Sequence, residues 1–597
     1  MMNTMTTTIF SFYEYWFGSA AKVFGFWDIL RERGDQYYGQ LENDHPSVLA
    51  FDYKAVLDGK YINPLTNFRL LKIFNRRKGE RRCGGDTRLH GVNYEFRKGD
   101  RRKITTLDAS QSLEVGNVSE KRVVVVIDPR AGHLSGVGGM KKDLSQIGLA
   151  LEYGYEVYFI SFTADPEPGQ KLAHVHDAIT TFLKEVRKLH PNSTLEVIGN
   201  CQAGWATAMN AADNPGLIDS IGLNGSPIST WAGKSQQLRS AGALMGGATA
   251  VSLTSDLGNG HFDGAWLVGN FESLNLSNTL WNKPYKLYSN LSTQRNRYLQ
   301  FERWWGGLSL MTADEIHQIV NSIFIGNDLE RGTFELEKGR VIDLWNLRDM
   351  VIKIFASKGD NITPPAQALR WILKVFGSEQ EIIDRNLKIV ICRHPFIGHL
   401  GIFVSSDTND RNHREFIGGA ELFDNLKPGI YELAIASGKE ARNGVYRSSN
   451  PGEIRYQMEL TDIGFDRIRE ICGDFNDDSL EKVARFSERM DEYYRIFWRP
   501  WVKLWINEST AEEIRRMHYL RFQHNFLSSR NPFMWLVPFW AAWMRKFAPE
   551  ISENNPFLAQ ERIVAKGIEV SLKVITDTRD EMTGFFFNNF FGNEKMN

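Results

Sequence analysis

The chain is 597 residues long, with 42% hydrophobic and 24% charged residues and a formal net charge of −1. That length can bury a large core and divide into roughly two to four domains, and the hydrophobic share excludes global disorder. A charge this close to zero excludes the electrostatic footprint of a nucleic-acid-binding protein.

The four cysteines, Cys83, Cys201, Cys392 and Cys472, are scattered and form no C-x-x-C pair. Neither a disulfide scaffold nor a zinc site follows from them, and a reducing, cytoplasmic setting is expected. The N-terminal region, residues 1–114, opens with a helical pattern over 8–34 that is crowded with aromatics such as Phe10, Phe12, Trp16, Phe24 and Trp27. Gly34 reads as its stop. This helix is expected to pack on the main domain, and its aromatic face also suits adsorption to a lipid or polymer surface. Those aromatics stand where a signal peptide would carry a basic start and an aliphatic core, so none is expected. Nor does any run reach the eighteen or so apolar residues of a spanning helix; the nearest, 532–544, is interrupted by Pro532 and Pro538. Within 75–103, Arg77-Lys78-Gly79-Glu80-Arg81-Arg82 recurs as Arg97-Lys98-Gly99-Asp100-Arg101-Arg102. A solvated basic insertion is the expectation there, with an anionic ligand or surface as the second reading.

From residue 123 strands and helices alternate. The β-branched run 123–127 predicts a strand buried on both faces of a parallel sheet. A helix over 142–153, a strand over 156–161 and a helix over 170–189 follow, and successive units of this kind imply right-handed crossovers. The apolar run 195–198 then reaches Gly199-Asn200-Cys201-Gln202-Ala203-Gly204, and a helical pattern starts at Trp205. Strand, nucleophile and helix in that order make a nucleophile elbow, with Cys for Ser and Ala203 where G-x-S-x-G has its last glycine. Gly199 and Ala203 are small because strand and helix crowd together at such a turn. A helix N-terminus behind Cys201 favours its thiolate. A buried structural cysteine fits the same ten residues, so the rest of the chain has to decide.

The loop after the first strand, Asp128-Pro129-Arg130-Ala131-Gly132-His133, lies where a second oxyanion donor belongs. The candidate donors are the backbone N–H groups of Arg130, Ala131 and Gln202. Residues 226–340 interrupt the alternation and are expected to form a cap with aromatic walls, among them Trp304 and Trp305. A strand over 350–356 leads to Asp360, on a loop with Pro364 and Pro365 opening the next helix. The strand 387–391 leads to His399, flanked by Gly398 and Gly401. His394, beside Arg393, is the rival histidine and suits a turn better. The order nucleophile, acid, histidine is that of the α/β-hydrolases, unlike those of chymotrypsin or subtilisin. The expected catalytic set is therefore Cys201, His399 and Asp360. Residues 115–425 are read as an α/β core with its cap, and 426–597 as a separate, aromatic-rich and mainly α-helical domain that self-associates or touches an apolar surface.

The blocks Gly199-Asn200-Cys201-Gln202-Ala203-Gly204, Gly359-Asp360-Asn361-Ile362-Thr363-Pro364 and Gly398-His399-Leu400-Gly401 resemble those of the poly(3-hydroxyalkanoate) synthases, α/β-hydrolase-fold acyltransferases with a Cys nucleophile. The resemblance spans residues 115–405. Adding Asp128-Pro129-Arg130-Ala131-Gly132-His133 and Trp205-Ala206 makes the chain similar to a bacterial group of synthase-like proteins of undetermined role. It departs from the synthases at Ala203, where they carry a second glycine, in its basic insertion and in its long C-terminal region. The resemblance implies acyl transfer from 3-hydroxyacyl-CoA, with the CoA thioester as substrate and no metal or redox cofactor. The partners it implies are an acyl-CoA or polyester, with peripheral association with a membrane or polymer granule, and a homo-oligomer. Two other readings stay open. One is a thioesterase or polyester depolymerase on the same triad, with a water held by Asn200 and Gln202. The other is a non-catalytic scaffold on a granule or membrane.

Overall fold

The computed structural model describes residues 2–41, 48–74, 122–233, 237–405, 408, 412–437, 456–473 and 477–592. The basic insertion expected at 75–103 lies outside them. The run Arg122–Ile127 is buried at every position, as a strand covered on both faces must be. Around it the chain forms β1 (Asp52–Asp58), β2 (Phe68–Phe74), β3 (Arg122–Ile127), β4 (Glu156–Phe162), β5 (Thr194–Asn200) and β6 (Ser220–Asn224). Two antiparallel pairs follow, β7 (His261–Asp263) with β8 (Leu310–Thr312) and β9 (Phe334–Glu337) with β10 (Arg340–Ile342). The remaining strands are β11 (Val351–Ser357), β12 (Lys388–His394), β13 (Gly429–Ser437) and β14 (Tyr456–Asp462).

The central sheet has the order β1-β2-β4-β3-β5-β6-β11-β12-β13-β14. Strands β3 to β6 and β11 to β13 run parallel, while β1, β2 and β14 pair antiparallel at the two edges. This is the α/β-hydrolase fold, prolonged at one edge by β13 and β14. The chain leaves β3 for β4 on one side and then crosses to β5 on the other. Such a reversal opens a crevice beyond the carboxyl ends of the strands, and the loops after β3 and β5 border it.

Two expected boundaries do not hold. β1 and β2 place part of the N-terminal region inside the sheet, and β13 and β14 carry the sheet beyond residue 425. These edge strands mix polar and apolar residues, as Asp52-Tyr53-Lys54-Ala55 and Gln457-Met458-Glu459-Leu460 do, in contrast with the unbroken apolar runs of the centre. The C-terminal helices are not a separate body either. Arg521 donates to both carboxylate oxygens of Asp263 (2.7 and 2.8 Å) and to the Tyr37 hydroxyl (2.6 Å). The Tyr494 hydroxyl and the Arg499 guanidinium meet Asp256, and Ser252 donates to Asp491. Cap, N-terminal helix and C-terminal helices therefore pack as one layer. Among the described residues no helix is long and apolar enough to cross a membrane.

Helix Met2–Leu41 runs straight through Gly34. A Cβ there would stand 2.2 Å from the Leu527 carbonyl oxygen and 2.8 Å from that of His524, so this glycine serves a close helix approach, not a stop. Gly34→Ala should improve helix propensity by roughly 1 kcal/mol yet destabilise the protein by about 1–3 kcal/mol net through the clash. A lowered denaturation midpoint would show it, and an unchanged or raised midpoint would contradict the packing argument.

Under the sheet lies a buried ion cluster. Glu196 on β5 accepts from Arg122 on β3 (2.7 Å) and from Lys353 on β11, and each of the three is at most 3% exposed. Lys353 also donates to the Phe416 carbonyl at 3.0 Å, and Arg122 reaches Asp424. Burial pushes the Lys353 ammonium below the usual lysine range, against the pull of Glu196.

Candidate active site

Strand β5 ends at Asn200, and helix Gln202–Asp213 begins two residues later. Cys201 is left to turn the chain, with φ 50° and ψ −119°. A non-glycine residue held there costs about 1–3 kcal/mol, and its surroundings enforce it. Its N–H donates to the Asn224 carbonyl at 2.8 Å. A Cβ on Gly199 would come within 2.5 Å of both the Ala203 carbonyl oxygen and Thr207 Oγ1, and one on Gly204 within 1.8 Å of Ser226 Oγ. Small residues at these positions let the helix fold back on the strand and lift the sulfur over the crevice.

Asp360 follows β11. Its Oδ1 accepts from the N–H groups of Ile362 (2.9 Å) and Thr363 (2.8 Å), leaving Oδ2 for His399 Nδ1 at 2.7 Å. His399 opens helix His399–Val404 after β12, and its Nε2 lies 3.1 Å from Cys201 Sγ. All three residues are buried. The three residues expected from three distant stretches of sequence thus form one hydrogen-bonded line. The rival His394 does something else. Its Nδ1 accepts from the N–H groups of Phe396 and Ile397 (3.3 and 3.1 Å), so it shapes the loop that carries His399.

Burial works against a charged His399, but the Asp360 carboxylate and the Cys201 sulfur outweigh it and raise its pKa well above the usual imidazole value. His133 behaves in the opposite way. Burial, with the nearby His399 adding to it, pushes this imidazole down to about 4. Its ring stands 4.5 Å from that of Trp304 and 5.4 Å from that of Trp305. Cys201 shares an apolar cluster with these two tryptophans and with Val137, Met140 and Ala265, and it is only 5% exposed. The sequence offered no signal for His133 beyond its place in the loop after β3.

That loop is pinned to the cap. Ser309 N–H donates to the Gly132 carbonyl (2.9 Å), Leu134 N–H to that of Gly307 (2.7 Å), and a Cβ on Gly132 would meet the Gly264 carbonyl oxygen at 2.4 Å. The Arg130 guanidinium pairs with Glu315 and donates to the Leu310 carbonyl. Arg130 and Ala131 therefore sit on a fixed loop at the end of β3, the strand beside β5, while Gln202 N–H is the first of its helix, where no intrahelical acceptor exists.

Asn200 is not the water-holding group expected. Its amide donates to Gln146 Oε1 (2.7 Å) and Asp128 Oδ1 (3.2 Å), and its oxygen accepts from Gln146 (2.9 Å) and Asn224 (3.1 Å). Asp128 also accepts from the N–H groups of Gly136 and Gly138. This buried network ties the loop after β3 to the elbow from beneath.

Residues 19–84 and 103–597 match a protein family described as "Protein of unknown function (DUF3141)". The chain belongs to this family. A relative from Rhizobium meliloti, "Uncharacterized protein in ackA 5'region", is 36% identical over 594 residues, which are 98% of this chain and 75% of that one. Similar solved structures include a monoacylglycerol lipase of Paleococcus ferrophilus, at 12% identity and a TM-score of 0.32 over 51% of this chain and 96% of its own. An esterase of Pyrococcus furiosus has 12% identity and a TM-score of 0.29 over 64% and 92%. A bromoperoxidase of Bacillus anthracis has 13% and 0.28 over 51% and 92%. Such likenesses concern the fold alone, which the strand order already establishes.

In this member of the family, the raised His399 pKa carries a stability consequence with a definite sign. Stability from the imidazolium–carboxylate pair is fully present below the unfolded value of about 6.5 and is lost as pH rises through the raised folded value. Asp360→Asn should therefore cost about 2 kcal/mol at pH ~6, and its deficit against the parent should shrink as pH rises through the raised folded value. Denaturation midpoints across that range would test this, and a deficit that grows with pH would contradict it.

Proposed function

We propose that the protein is an acyltransferase that accepts an acyl group from a thioester onto Cys201, the donor class being 3-hydroxyacyl-CoA. The observation that carries this reading is the line from Cys201 Sγ through His399 to Asp360, set on a strained elbow at the fold's switch point. His399 Nε2 takes the thiol proton, Sγ attacks the thioester carbonyl, and the oxyanion rests on the N–H groups of Gln202 and of Arg130 or Ala131. Asp360 holds the imidazole by Nδ1 and stabilises the imidazolium. The C–S bond to CoA then breaks, and the leaving thiolate takes the proton back from His399. The acyl group now sits on Cys201 as a thioester and remains activated. The hydroxyl of a second 3-hydroxyacyl group attacks it, His399 again acting as base, and an ester forms as the cysteine thiol is restored.

Two features support transfer over hydrolysis. Cys201 is only 5% exposed and belongs to an apolar cluster that includes Trp304 and Trp305, which disfavours a stray water as acceptor. Asn200, one of the two polar neighbours expected to hold one, is committed to the Asp128–Gln146 network. Burial also keeps His133 uncharged, so the imidazolium of His399 meets no neighbouring cation. The test is to supply 3-hydroxybutyryl-CoA and follow free thiol together with product mass. Thiol release with oligoester growth supports the transferase. Free 3-hydroxybutyrate makes the protein a hydrolase on the same triad, and no release overturns catalysis on this donor class.

A further inference from the structure

The N-terminal helix shares an aromatic surface with helix Val537–Phe547. The two run antiparallel. Gly18 abuts Ile551, the Phe24 ring stands 6.2 Å from that of Trp540, and Asp35 accepts from the Ser529 N–H at 2.7 Å. From that contact the rings continue without a break. Trp27 lies 6.0 Å from Phe24, Phe539 and Trp543 lie 5.5 and 5.9 Å from Trp540, and Phe547 lies 5.3 Å from Trp543. Farther along the N-terminal helix, Tyr13 and Phe17 touch at 4.4 Å. These rings are wet. Trp540, Trp543 and Trp27 are 40–44% exposed, and Phe547 and Phe539 are 59% and 61% exposed. Contiguous apolar surface of this kind marks an interface.

We propose that this face docks on the surface of an anionic phospholipid bilayer. Charge selects that occupant. Over residues 9–27 the charged side chains are Glu14 and Lys22, and over 532–547 they are Arg545 and Lys546. Glu14 is turned inward, 8% exposed, and accepts from the Ser552 N–H. Arg545 and Lys546 are exposed in the last turn of their helix. Within these two stretches the exposed charges are thus cationic, and the nearest exposed acid is Glu550, three residues past Phe547, on a chain whose net charge is −1. A second copy docked through the same face would bring the same cations together, because an isologous interface repeats one patch on both sides. A neutral polymer would draw nothing from them. Helices with aromatic faces and basic residues lie in the plane of the headgroups, their rings in the acyl boundary, consistent with the lack of a spanning helix among the described residues. The docking does not depend on the catalytic reading.

The test is co-sedimentation of the full chain with phosphatidylcholine vesicles, alone or with about one phosphatidylglycerol in three lipids. The chain should sediment with the mixed vesicles and less with phosphatidylcholine alone. Trp540→Ala with Trp543→Ala should abolish sedimentation on both. Arg545→Glu with Lys546→Glu should weaken it about 30-fold or more on the mixed vesicles, while leaving weak binding to phosphatidylcholine unchanged. Circular dichroism of each variant shows that loss is not unfolding, as expected for side chains that contact solvent. Sedimentation unchanged in both variants would overturn the proposal, as would none with the parent chain. Equal binding to neutral polyester particles would assign the face to a polymer. A dimer broken by the tryptophan substitutions, without vesicle binding, would assign it to a second copy.

Discussion

Cys201→Ala should lower acyl-thioester turnover by ~10⁴-fold or more. Sγ is the atom that the elbow, the Asn224 carbonyl and His399 Nε2 jointly position, and alanine removes it while leaving the backbone hydrogen bonds in place. His399 then still meets Asp360 but has no proton to take. Residual turnover would come from binding and the oxyanion N–H groups alone, the part of such sites that survives loss of the nucleophile. Two measurements check this. Initial rates of free-thiol release give the magnitude, and mass spectrometry after a brief exposure to 3-hydroxybutyryl-CoA should find the acyl group on Cys201 in the parent and on no residue in the variant. The alanine variant should unfold at the parent's midpoint or slightly below it, since one small buried atom is lost. Turnover that persists in the folded variant would remove Cys201 from the chemistry.

Glu196→Ala should destabilise the protein by about 3–5 kcal/mol, the loss typical when one partner leaves a buried ion pair. Here the effect is compounded. Glu196 separates Arg122 from Lys353, and its removal leaves two buried cations facing each other with the half-exposed Asp424 pairing only Arg122. Against a usual domain stability of about 5–15 kcal/mol, such a loss endangers folding itself, so soluble yield should fall along with the denaturation midpoint. Replacing the set together, with Arg122→Met, Glu196→Leu and Lys353→Met, should recover most of the loss, because no charge then needs burying. A single variant as stable as the parent would mean that the cluster carries no net weight in the sheet.

The central strands were legible because each is covered on both faces and so reads as an apolar run. The triad was legible because each member follows such a strand, and the order Cys201, Asp360, His399 admits few topologies. The edge strands were not, since β1, β13 and β14 mix polar and apolar residues in a way that polar loops also do. Gly34 misled because a stop and a close approach call for the same residue, and only the carbonyls of His524 and Leu527 distinguish them. The union of cap and C-terminal helices rests on pairs such as Arg521 with Asp263, which lie far apart in the chain and leave no local pattern. The same holds for Asn200, whose partners are Asp128 in the loop after β3 and Gln146 at the start of a helix.

The N-terminal helix finds its partners at the far end of the chain. Tyr15 donates to Glu561, 546 residues away, Glu14 accepts from Ser552, and the Ser11 carbonyl accepts from Asn555. At a synthesis rate of ~5–20 residues per second, the helix waits roughly half a minute to two minutes before those residues exist. Its inner half meets Leu287, Tyr298 and Leu299 earlier, but the aromatic side chains that pack on the C-terminal helices wait for that last stretch, and loop closure over such a distance is slow. The emerging chain is therefore a client for whatever shields apolar segments at the ribosome, and its yield should depend on elongation speed as well as on the final stability of the fold.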